Sequence, residues 1–191
     1  MELNKRTSNR DNLLWVLIVI PYLALIPAIW YYNKILKDVN NASIIVISKQ
    51  NMNLKLFNYK GQLLQTSKIA CGKNEGDKNN VGDMKTPEGV FNIADIEDAA
   101  TWTHDFKDGN GVIKGAYGPY FIRINIPGKS GIGIHGTHDE NSLGKRVTEG
   151  CIRLKNDDLQ QLVKHVSTSS VVVITPGIND VKANMDSVKY K

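Results

Sequence analysis

Apolar and polar residues alternate along most of the chain beyond residue 42. Between Asn53 and Asn58, Leu54 and Leu56 alternate with polar neighbours, and β-branched runs recur further on. A period of two is typical of strands that bury one face. The pattern predicts strands at Ser43–Ser48, Asn53–Asn58, Gln62–Ala70, Gly89–Ile96, Pro119–Ile126 and Val171–Ile174, while Gly131–His135 leads into a His-Gly-Thr segment.

One helix is predicted after residue 155. Apolar side chains recur there at helical spacing, at Leu159, Leu162, Val163 and Val166. Asn156 is predicted to cap the helix, and Asp157 and Asp158 suit the positive end of its dipole. The chain is therefore predicted to be mainly β, with one helix flanking the strands.

An uncharged apolar segment lies near the N-terminus, at residues 13–32. About 20 such residues are needed to cross a bilayer as a helix. Trp15 and Trp30 lie near its ends, where aromatic belts form, and Pro21 and Pro27 are tolerated in membrane spans. A buried core helix and a cleaved signal peptide are the alternatives, but the Trp-Tyr-Tyr exit suits cleavage badly. We predict an uncleaved anchor.

These patterns divide the chain into successive segments. We predict a short cytoplasmic N-terminal segment, a transmembrane anchor, a linker, a mostly β domain and a loose polar tail, at residues 1–12, 13–32, 33–42, 43–177 and 178–191 respectively. A domain of about 135 residues is large enough to bury its own core.

Charge and cysteine content narrow the possible partners. The net charge is +5, and the cysteines are Cys71 and Cys151. Two cysteines make no disulfide framework, and no spacing matches a zinc motif. No helix-turn-helix, RNP-like or zinc-finger pattern occurs, so nucleic acid is not a predicted partner. Cys71, at the end of a strand, is predicted to be packed rather than reactive.

The densest chemistry lies in two short segments. His-Gly-Thr at residues 135–137 is followed by Glu-Gly-Cys-Ile-Arg-Leu at residues 149–154, with Cys151 sixteen residues after His135. A thiol attacks as the thiolate, and a nearby imidazole is the usual base that forms it. Cys151 is therefore the predicted nucleophile and His135 the predicted base. The N–H groups of Gly150 and Cys151 are predicted to face a developing oxyanion.

These motifs resemble the signature of the L,D-transpeptidases, also called the YkuD family. Residues 78–93, KNNVGDMKTPEGVFNI, are similar to the family's substrate-proximal segment, and the resemblance extends over residues 43–177. It implies a YkuD-like β-sandwich catalytic domain with a flanking helix. It also implies a catalytic domain on the periplasmic or extracytoplasmic side of the cytoplasmic membrane, held by a single-pass anchor.

The resemblance implies roles for the neighbours of the two reactive residues. The second imidazole nitrogen of the base is expected to be held by a backbone carbonyl, with Gly136 as the matching residue and Thr137 as support. Thr148 and Arg153 are expected at the substrate. The guanidinium of Arg153 could hold a stem-peptide carboxylate or brace the loop, and an ordinary ion pair is an equal alternative.

Glu149 departs from the family pattern. The family commonly has Ser-His-Gly-Cys, whereas residues 148–151 here are Thr-Glu-Gly-Cys. A carboxylate that pointed toward Cys151 would disfavour the thiolate, because like charges repel. A carboxylate that pointed outward could attract a cationic acceptor amine. We predict the outward position for Glu149, with its effect on the choice of acceptor.

The function implied by the resemblance is L,D-transpeptidation of peptidoglycan tetrapeptide stems. Cys151 would form a thioester with the third residue, a diamino acid, as the terminal D-alanine leaves. A side-chain amine of another stem would resolve it, giving a 3-3 cross-link; a lipoprotein lysine or water could replace that amine. No metal or organic cofactor is expected, and carbapenems are expected to acylate the cysteine.

Two other classes of function remain open at this point. His135, His138 and Asp139 could form the metal site of a metallohydrolase if the chain turns after His135. Alternatively, the domain could be an inactive wall-binding module in which Glu149 has ended catalysis. Retention of both His135 and Cys151 argues against the inactive module.

Overall fold

The structure is a computed structural model that describes residues 23, 25–36, 42–106, 109 and 111–189. The chain forms two compact units, Met1–Asn40 and Asn41–Lys191. In the first unit, residues 25–36 form helix α1, which continues into the start of the predicted linker. Within the described residues, no helix is both long and apolar enough to cross a membrane. Most of the predicted anchor, residues 13–22 and 24, and the segment 1–12 lie outside the described residues.

The second unit consists mainly of strands, as predicted. Its strands are β1 (Ser43–Ser48), β2 (Asn53–Asn58), β3 (Leu63–Gly72), β4 (Gly89–Asp98), β5 (Thr103–Asp105), β6 (Val112–Lys114), β7 (Tyr120–Asn125), β8 (Gly133–His135), β9 (Arg146–Thr148), β10 (Ile152–Leu154) and β11 (Val171–Thr175). Its helices are a short 3₁₀ helix (Glu140–Ser142), α2 (Asn156–Val163) and α3 (Ile178–Lys189).

The described strands form a nine-stranded mixed sheet and a separate β5–β6 hairpin. The order in the sheet is β10-β8-β7-β4-β11-β1-β2-β3-β9, and β10 also pairs with β3, which curls the sheet back on itself. Turns at both ends of β2 fix the registers of β1, β2 and β3. In the second turn, Gly61 adopts a φ of 77° and donates its N–H to the carbonyl of Asn58 over 2.9 Å. Glycine adopts this left-handed conformation without steric cost.

The alternation seen in the sequence places one face of each strand in the core. The core is formed mainly by isoleucine and leucine side chains, among them Ile45, Ile47, Leu54, Leu56, Ile122, Ile134 and Ile152. Helix α2 covers this core with Leu159 and Leu162, both fully buried. Burial of each such side chain contributes roughly 1.5–3 kcal/mol. The mainly β fold with a flanking helix is confirmed.

Three details of the sequence prediction require correction. Lys155, not Asn156, occupies the N-cap position of α2, and it makes no side-chain capping bond. The side chain of Asn156 instead accepts the N–H of Thr137 over 2.8 Å. The strands β5, β6, β9 and β10 were not predicted, because three residues are too few to show alternation.

The third correction concerns the C-terminal tail, which was predicted to be loose. From Ile178 it forms helix α3. Asp180 on this helix is fully buried and lies 3.0 Å from the ammonium of Lys49 and 2.5 Å from the guanidinium of Arg146. Helix α3 therefore contacts the rest of the domain through polar groups, so its sequence shows no apolar pattern that would have predicted its packing.

Candidate active site

The two reactive residues predicted from sequence come together at the paired ends of β8 and β10. These strands are parallel, with Ile152 opposite Ile134 and Arg153 opposite His135. Cys151 immediately precedes β10, so its side chain lies on the same face as those of His135 and Arg153. Cys151 and His135 both line one cavity of about 310 Å³.

His135 is held in one orientation by its surroundings. Its Nδ1 lies 2.7 Å from the carbonyl oxygen of Gly136, so Nδ1 carries the proton and donates it. Nε2 is therefore left as the basic nitrogen. The ring stacks on Phe121 with an interplanar angle of 8° and meets the edge of Tyr117 with ring centroids 4.9 Å apart. This is the carbonyl-held base that the resemblance implied.

Gly136 and Thr137 support this orientation through the backbone. A Cβ atom on Gly136 would lie only 2.1 Å from Oδ1 of Asn156, so a larger residue would displace the Asn156 side chain from Thr137. The N–H of Gly136 donates to the carbonyl of Tyr117 over 2.7 Å. The hydroxyl of Thr137 donates to the carbonyl of Asp139 over 2.9 Å and also accepts the Asp139 N–H. Hydrogen bonds thus hold the segment after β8 in place at successive residues.

Cys151 is partly exposed, and its sulfur lies 3.3 Å from the carbonyl of Gly131. The backbone N–H of Gly133 also faces the sulfur and favours its anionic form. The hydroxyl of Thr148 donates to the Cys151 carbonyl over 2.6 Å and accepts the N–H of Gly150 over 3.2 Å. Thr148 therefore stabilises the loop. The N–H of Gly150, which was predicted to face an oxyanion, is already hydrogen-bonded to the Thr148 hydroxyl. Gly133 supplies an N–H at the sulfur that the sequence did not suggest.

Gly150 is fixed by the segment that precedes β4. Its φ is 133°, and a Cβ atom would lie 2.6 Å from the carbonyl oxygen of Lys85. The buried hydroxyl of Thr86 donates to the Gly150 carbonyl over 2.9 Å and accepts the Gly72 N–H over 2.8 Å. Residues 78–93 thus brace the nucleophile loop as well as lining the cavity. The role of Thr86 was missed, because nothing in the local sequence shows which loop it contacts.

The resting thiol and imidazole are both neutral. Burial raises the pKa of Cys151 to about 11, and the charge of Glu149 acts in the same direction. Burial lowers the pKa of His135 to about 3, although its bond to the Gly136 carbonyl partly opposes this. At pH 7 the thiol therefore keeps its proton and the imidazole is free to accept one. The pair is poised for proton transfer during attack, rather than resting as a thiolate–imidazolium ion pair.

Arg153 is nearly buried at the base of the cavity. One guanidinium nitrogen donates to the hydroxyl of Ser142 over 3.1 Å, and the group lies over the ring of Phe106 at 5.4 Å. Its Nε has no hydrogen-bond partner among the described residues. The partner of Arg153 is thus a hydroxyl, not the carboxylate of an ordinary ion pair. Arg153 lines the cavity, and the predicted contact with a substrate carboxylate stays a prediction.

The residues of the metal-site alternative do not converge. The ring of His138 packs on Phe106 with centroids 5.2 Å apart, while His135 is bound to the Gly136 carbonyl. In the part of the chain that the structure describes, no group of three or more His, Cys, Asp or Glu side chains could hold a metal ion. The ligand set expected for a metallohydrolase is therefore not assembled.

Comparison with known protein families agrees with this geometry. The sequence model of YkuD, described as an L,D-transpeptidase catalytic domain, matches residues 42–174. The chain belongs to the YkuD family. The match includes both catalytic motifs and the segment at residues 78–93.

Individual relatives carry the same family name. A Bacillus licheniformis protein named as the L,D-transpeptidase YkuD is 30% identical over 132 residues, which are 69% of this chain and 65% of that protein. A Bacillus subtilis protein named as the L,D-transpeptidase YqjB is 34% identical over 95 residues, 49% of this chain and 53% of that protein. The chain thus spans less than two thirds of the length of these YkuD relatives.

Solved structures share the fold of the YkuD domain. The catalytic domain of the Enterococcus faecium L,D-transpeptidase superposes with a TM-score of 0.52 at 22% identity, covering 70% of this chain and 97% of that one. L,D-transpeptidase 3 of Mycobacterium tuberculosis, solved with a faropenem-derived adduct, gives a TM-score of 0.53 at 17% identity, covering 70% and 60% respectively. At these identities the likeness establishes the fold.

The departure of this YkuD domain at Glu149 has a structural counterpart. The Glu149 carboxylate is about half exposed and points to the β5–β6 hairpin, where it lies 3.5 Å from Nε2 of His104. The Nδ1 of His104 lies 2.9 Å from the hydroxyl of Tyr117. Glu149 therefore pairs with His104, but it lines the same cavity as Cys151 and its charge raises the pKa of that thiol, so the predicted outward position is not confirmed. His104 and Tyr117 carry no sequence motif, so sequence reasoning missed both.

The neutral state of Cys151 can be tested by alkylation. Since its pKa is raised to about 11, the thiolate appears only as the pH rises, and at pH 7 it is on the order of 10⁻⁴ of the total. We expect the iodoacetamide rate to rise about tenfold per pH unit from pH 7 to 10. Intact mass on the Cys71→Ser variant reports Cys151 alone. A plateau reached below pH 8 would show a preformed thiolate instead.

Proposed function

We propose that this chain is an L,D-transpeptidase that acts on peptidoglycan tetrapeptide stems through a thioester at Cys151. The observation that carries the proposal is the neutral pair of Cys151 and His135 at one cavity, with the imidazole oriented by the Gly136 carbonyl. Membership of the YkuD family supplies the reaction class.

The first half-reaction follows from this geometry. The sulfur of Cys151 attacks the carbonyl carbon of the amide that joins the third residue to the terminal D-alanine, while Nε2 of His135 takes the thiol proton. The backbone of Gly133 lowers the pKa of the Cys151 thiol and so favours negative charge on the sulfur as the proton leaves. His135 then gives the proton to the amine of D-alanine, which leaves. The acyl group remains on sulfur as a thioester.

The second half-reaction reverses these roles. A side-chain amine of another stem attacks the thioester carbon, the carbon–sulfur bond breaks, and His135 passes a proton to the sulfur. The product is a cross-link between third residues. Water in place of the amine would make the enzyme an L,D-carboxypeptidase, and a lipoprotein lysine would make it an anchoring enzyme.

β-Lactam-type electrophiles should form adducts at the same sulfur. Two relatives of the same fold were solved as a faropenem-derived adduct and as an avibactam carbamoyl enzyme. The partly exposed sulfur of Cys151 lies in a cavity that also contains the guanidinium of Arg153, which suits the carboxylate of such compounds. Carbapenems are therefore proposed as covalent inhibitors of this chain.

The function is tested with purified disaccharide tetrapeptides and product analysis by mass spectrometry. We expect cross-linked dimers from the unmodified chain and a loss of about 10²–10⁴-fold or more for His135→Ala, because a general base contributes that much. His138→Ala is the matched control and should keep near-normal activity. Equal losses at both histidines, together with inhibition by a chelator, would contradict the thiol mechanism.

We also propose that residues 13–32 anchor the protein in the cytoplasmic membrane with the catalytic domain outside. The absence of charge over this stretch and the extracytoplasmic position of peptidoglycan support the proposal. A membrane-impermeant maleimide should label Cys151 in intact spheroplasts. Labelling seen only after detergent lysis would reverse the orientation.

A further inference from the structure

A row of three polar side chains lies in the cavity beside the proposed catalytic pair. The hydroxyl of Tyr117 is 2.9 Å from Nδ1 of His104, and Nε2 of His104 is 3.5 Å from the carboxylate of Glu149. All three side chains line the same cavity as Cys151. They come from the β5–β6 hairpin, the loop before β7 and the loop before Cys151, so only the fold brings them together.

The positions of the protons in these two contacts follow from the charges. Burial raises the pKa of Tyr117, and the negative charge of Glu149 adds to this, so the phenol keeps its proton. The carboxylate of Glu149 can only accept. Nε2 of His104 therefore carries the proton that faces Glu149, and Nδ1 accepts the proton of the Tyr117 hydroxyl. Protonation of Nδ1 through Tyr117 would give an imidazolium that pairs with Glu149.

The transfer to an amine is aided by such a group, because the acceptor must lose one proton more than His135 passes to the sulfur. An aliphatic amine with a pKa near 10.4 arrives as the ammonium at neutral pH. It must lose one proton before it can attack and a second as the amide forms. His135 passes the second proton to the departing sulfur of Cys151. The first proton has no destination in the catalytic pair.

We infer that Tyr117, His104 and Glu149 form an acceptor relay that deprotonates the incoming ammonium for transfer from the Cys151 thioester. This inference rests on the proposed function. The ammonium gives a proton to the Tyr117 oxygen while the phenol proton passes to Nδ1 of His104. The carboxylate of Glu149 holds the resulting imidazolium. Since His104 and Glu149 are partly exposed, the proton then leaves to solvent.

The relay distinguishes an amine acceptor from water. Water enters the cavity as a neutral molecule and needs no deprotonation before it binds, and acylation of Cys151 releases an amine instead of consuming one. Hydrolysis of the thioester and acylation of Cys151 should therefore both proceed without the relay. The position of Tyr117 fits this division, since its ring contacts the ring of His135 at 4.9 Å and its hydroxyl points to His104.

Other charged groups near the relay already have partners. Lys78 pairs with Asp83 over 2.7 Å, Lys129 donates to the carbonyl of Lys78, and Arg153 donates to Ser142. His138 packs on Phe106, which also contacts His104 with centroids 4.5 Å apart. His138 is thus a nearby imidazole outside the relay, and it provides the matched control.

The test measures two quantities in the whole chain. The first is the rate at which a carbapenem acylates Cys151, and the second is the ratio of cross-linked dimer to tripeptide formed from tetrapeptide monomers. In Glu149→Gln and His104→Asn we expect acylation within about twofold of normal and a dimer-to-tripeptide ratio at least about tenfold lower at pH 7. His138→Asn should leave both unchanged. The decrease in the dimer-to-tripeptide ratio of the two relay variants should become smaller as the pH approaches about 10, because the acceptor amine then deprotonates in solution.

The other outcomes are equally decisive. An unchanged ratio in Glu149→Gln and His104→Asn would overturn the relay. Acylation that falls together with the ratio, or a deficit that persists at high pH, would show that the two side chains only hold the hairpin in place, and would also overturn it. A normal chain that forms no adduct and no product at Cys151 would instead overturn the proposed function itself.

Discussion

Replacement of Cys151 by alanine is expected to abolish both stem transfer and adduct formation with a carbapenem. In the proposed mechanism the sulfur is the atom that forms the thioester, and no other residue of the cavity replaces it in that role. Removal of a catalytic nucleophile lowers turnover by on the order of 10⁴-fold or more. Product formation from tetrapeptides and the intact mass of the chain after incubation with a carbapenem measure the two losses.

The matched control is Cys71→Ser, because it removes the other thiol. Cys71 is fully buried on β3, its sulfur lies 3.7 Å from that of Met52, and burial raises its pKa. It has no route to a substrate. This variant should keep both activities, as the prediction of a packed cysteine requires. An adduct that persists on Cys151→Ala and disappears from Cys71→Ser would reverse the assignment.

Replacement of Asp180 by alanine is expected to destabilise the domain by about 3–5 kcal/mol, since removal of one carboxylate from a buried ionic cluster leaves its cations only partly compensated. Lys49 is fully buried, and its ammonium contacts Asp180 at 3.0 Å and Glu88 at 2.6 Å. Asp180 also accepts the N–H groups of Gly76 and Gly177 over 2.7 and 2.8 Å. Equilibrium denaturation of the full chain measures the loss.

The pH dependence of this stability has a defined sign. Burial alone would raise the pKa of Asp180, but the N–H donors of Gly177 and Gly76 and the charge of Lys49 lower it overall. A depressed carboxyl pKa stabilises the fold above the unfolded value of about 3.9, and this contribution is lost as the pH falls through the folded value. The difference between normal and Asp180→Ala chains should therefore shrink in acid.

An exposed carboxylate provides the control for this prediction. Asp157 is mostly exposed and lies 3.7 Å from Lys155. Since surface ion pairs contribute about 0–1 kcal/mol, Asp157→Ala should change stability little. A free energy of unfolding for Asp180→Ala within about 1 kcal/mol of the normal value would contradict the stabilising role of the Lys49–Asp180 cluster. Loss of α3 docking should also impair catalysis, because the loop it contacts leads to Thr86, which holds Gly150.

The sequence by itself predicted the longer strands, and it indicated Cys151 and His135 as the candidate reactive pair. The alternation around Leu54 and Leu56 and the spacing of Leu159 and Leu162 report burial directly, since each side chain's face follows from its position in the element. The His135 and Cys151 motifs are local, with the chemistry carried by the residues themselves.

Only the tertiary structure decided how distant polar groups meet. Asp180 joins Lys49 across the chain, Asn156 supports Thr137 instead of capping its helix, and His104 reaches Glu149 through a hairpin of three-residue strands. Polar contacts of this kind leave no periodic pattern, because a single hydrogen bond or ion pair specifies one partner and not a face. The neutral state of the catalytic pair also belongs to the fold, since desolvation depends on what the assembled cavity excludes.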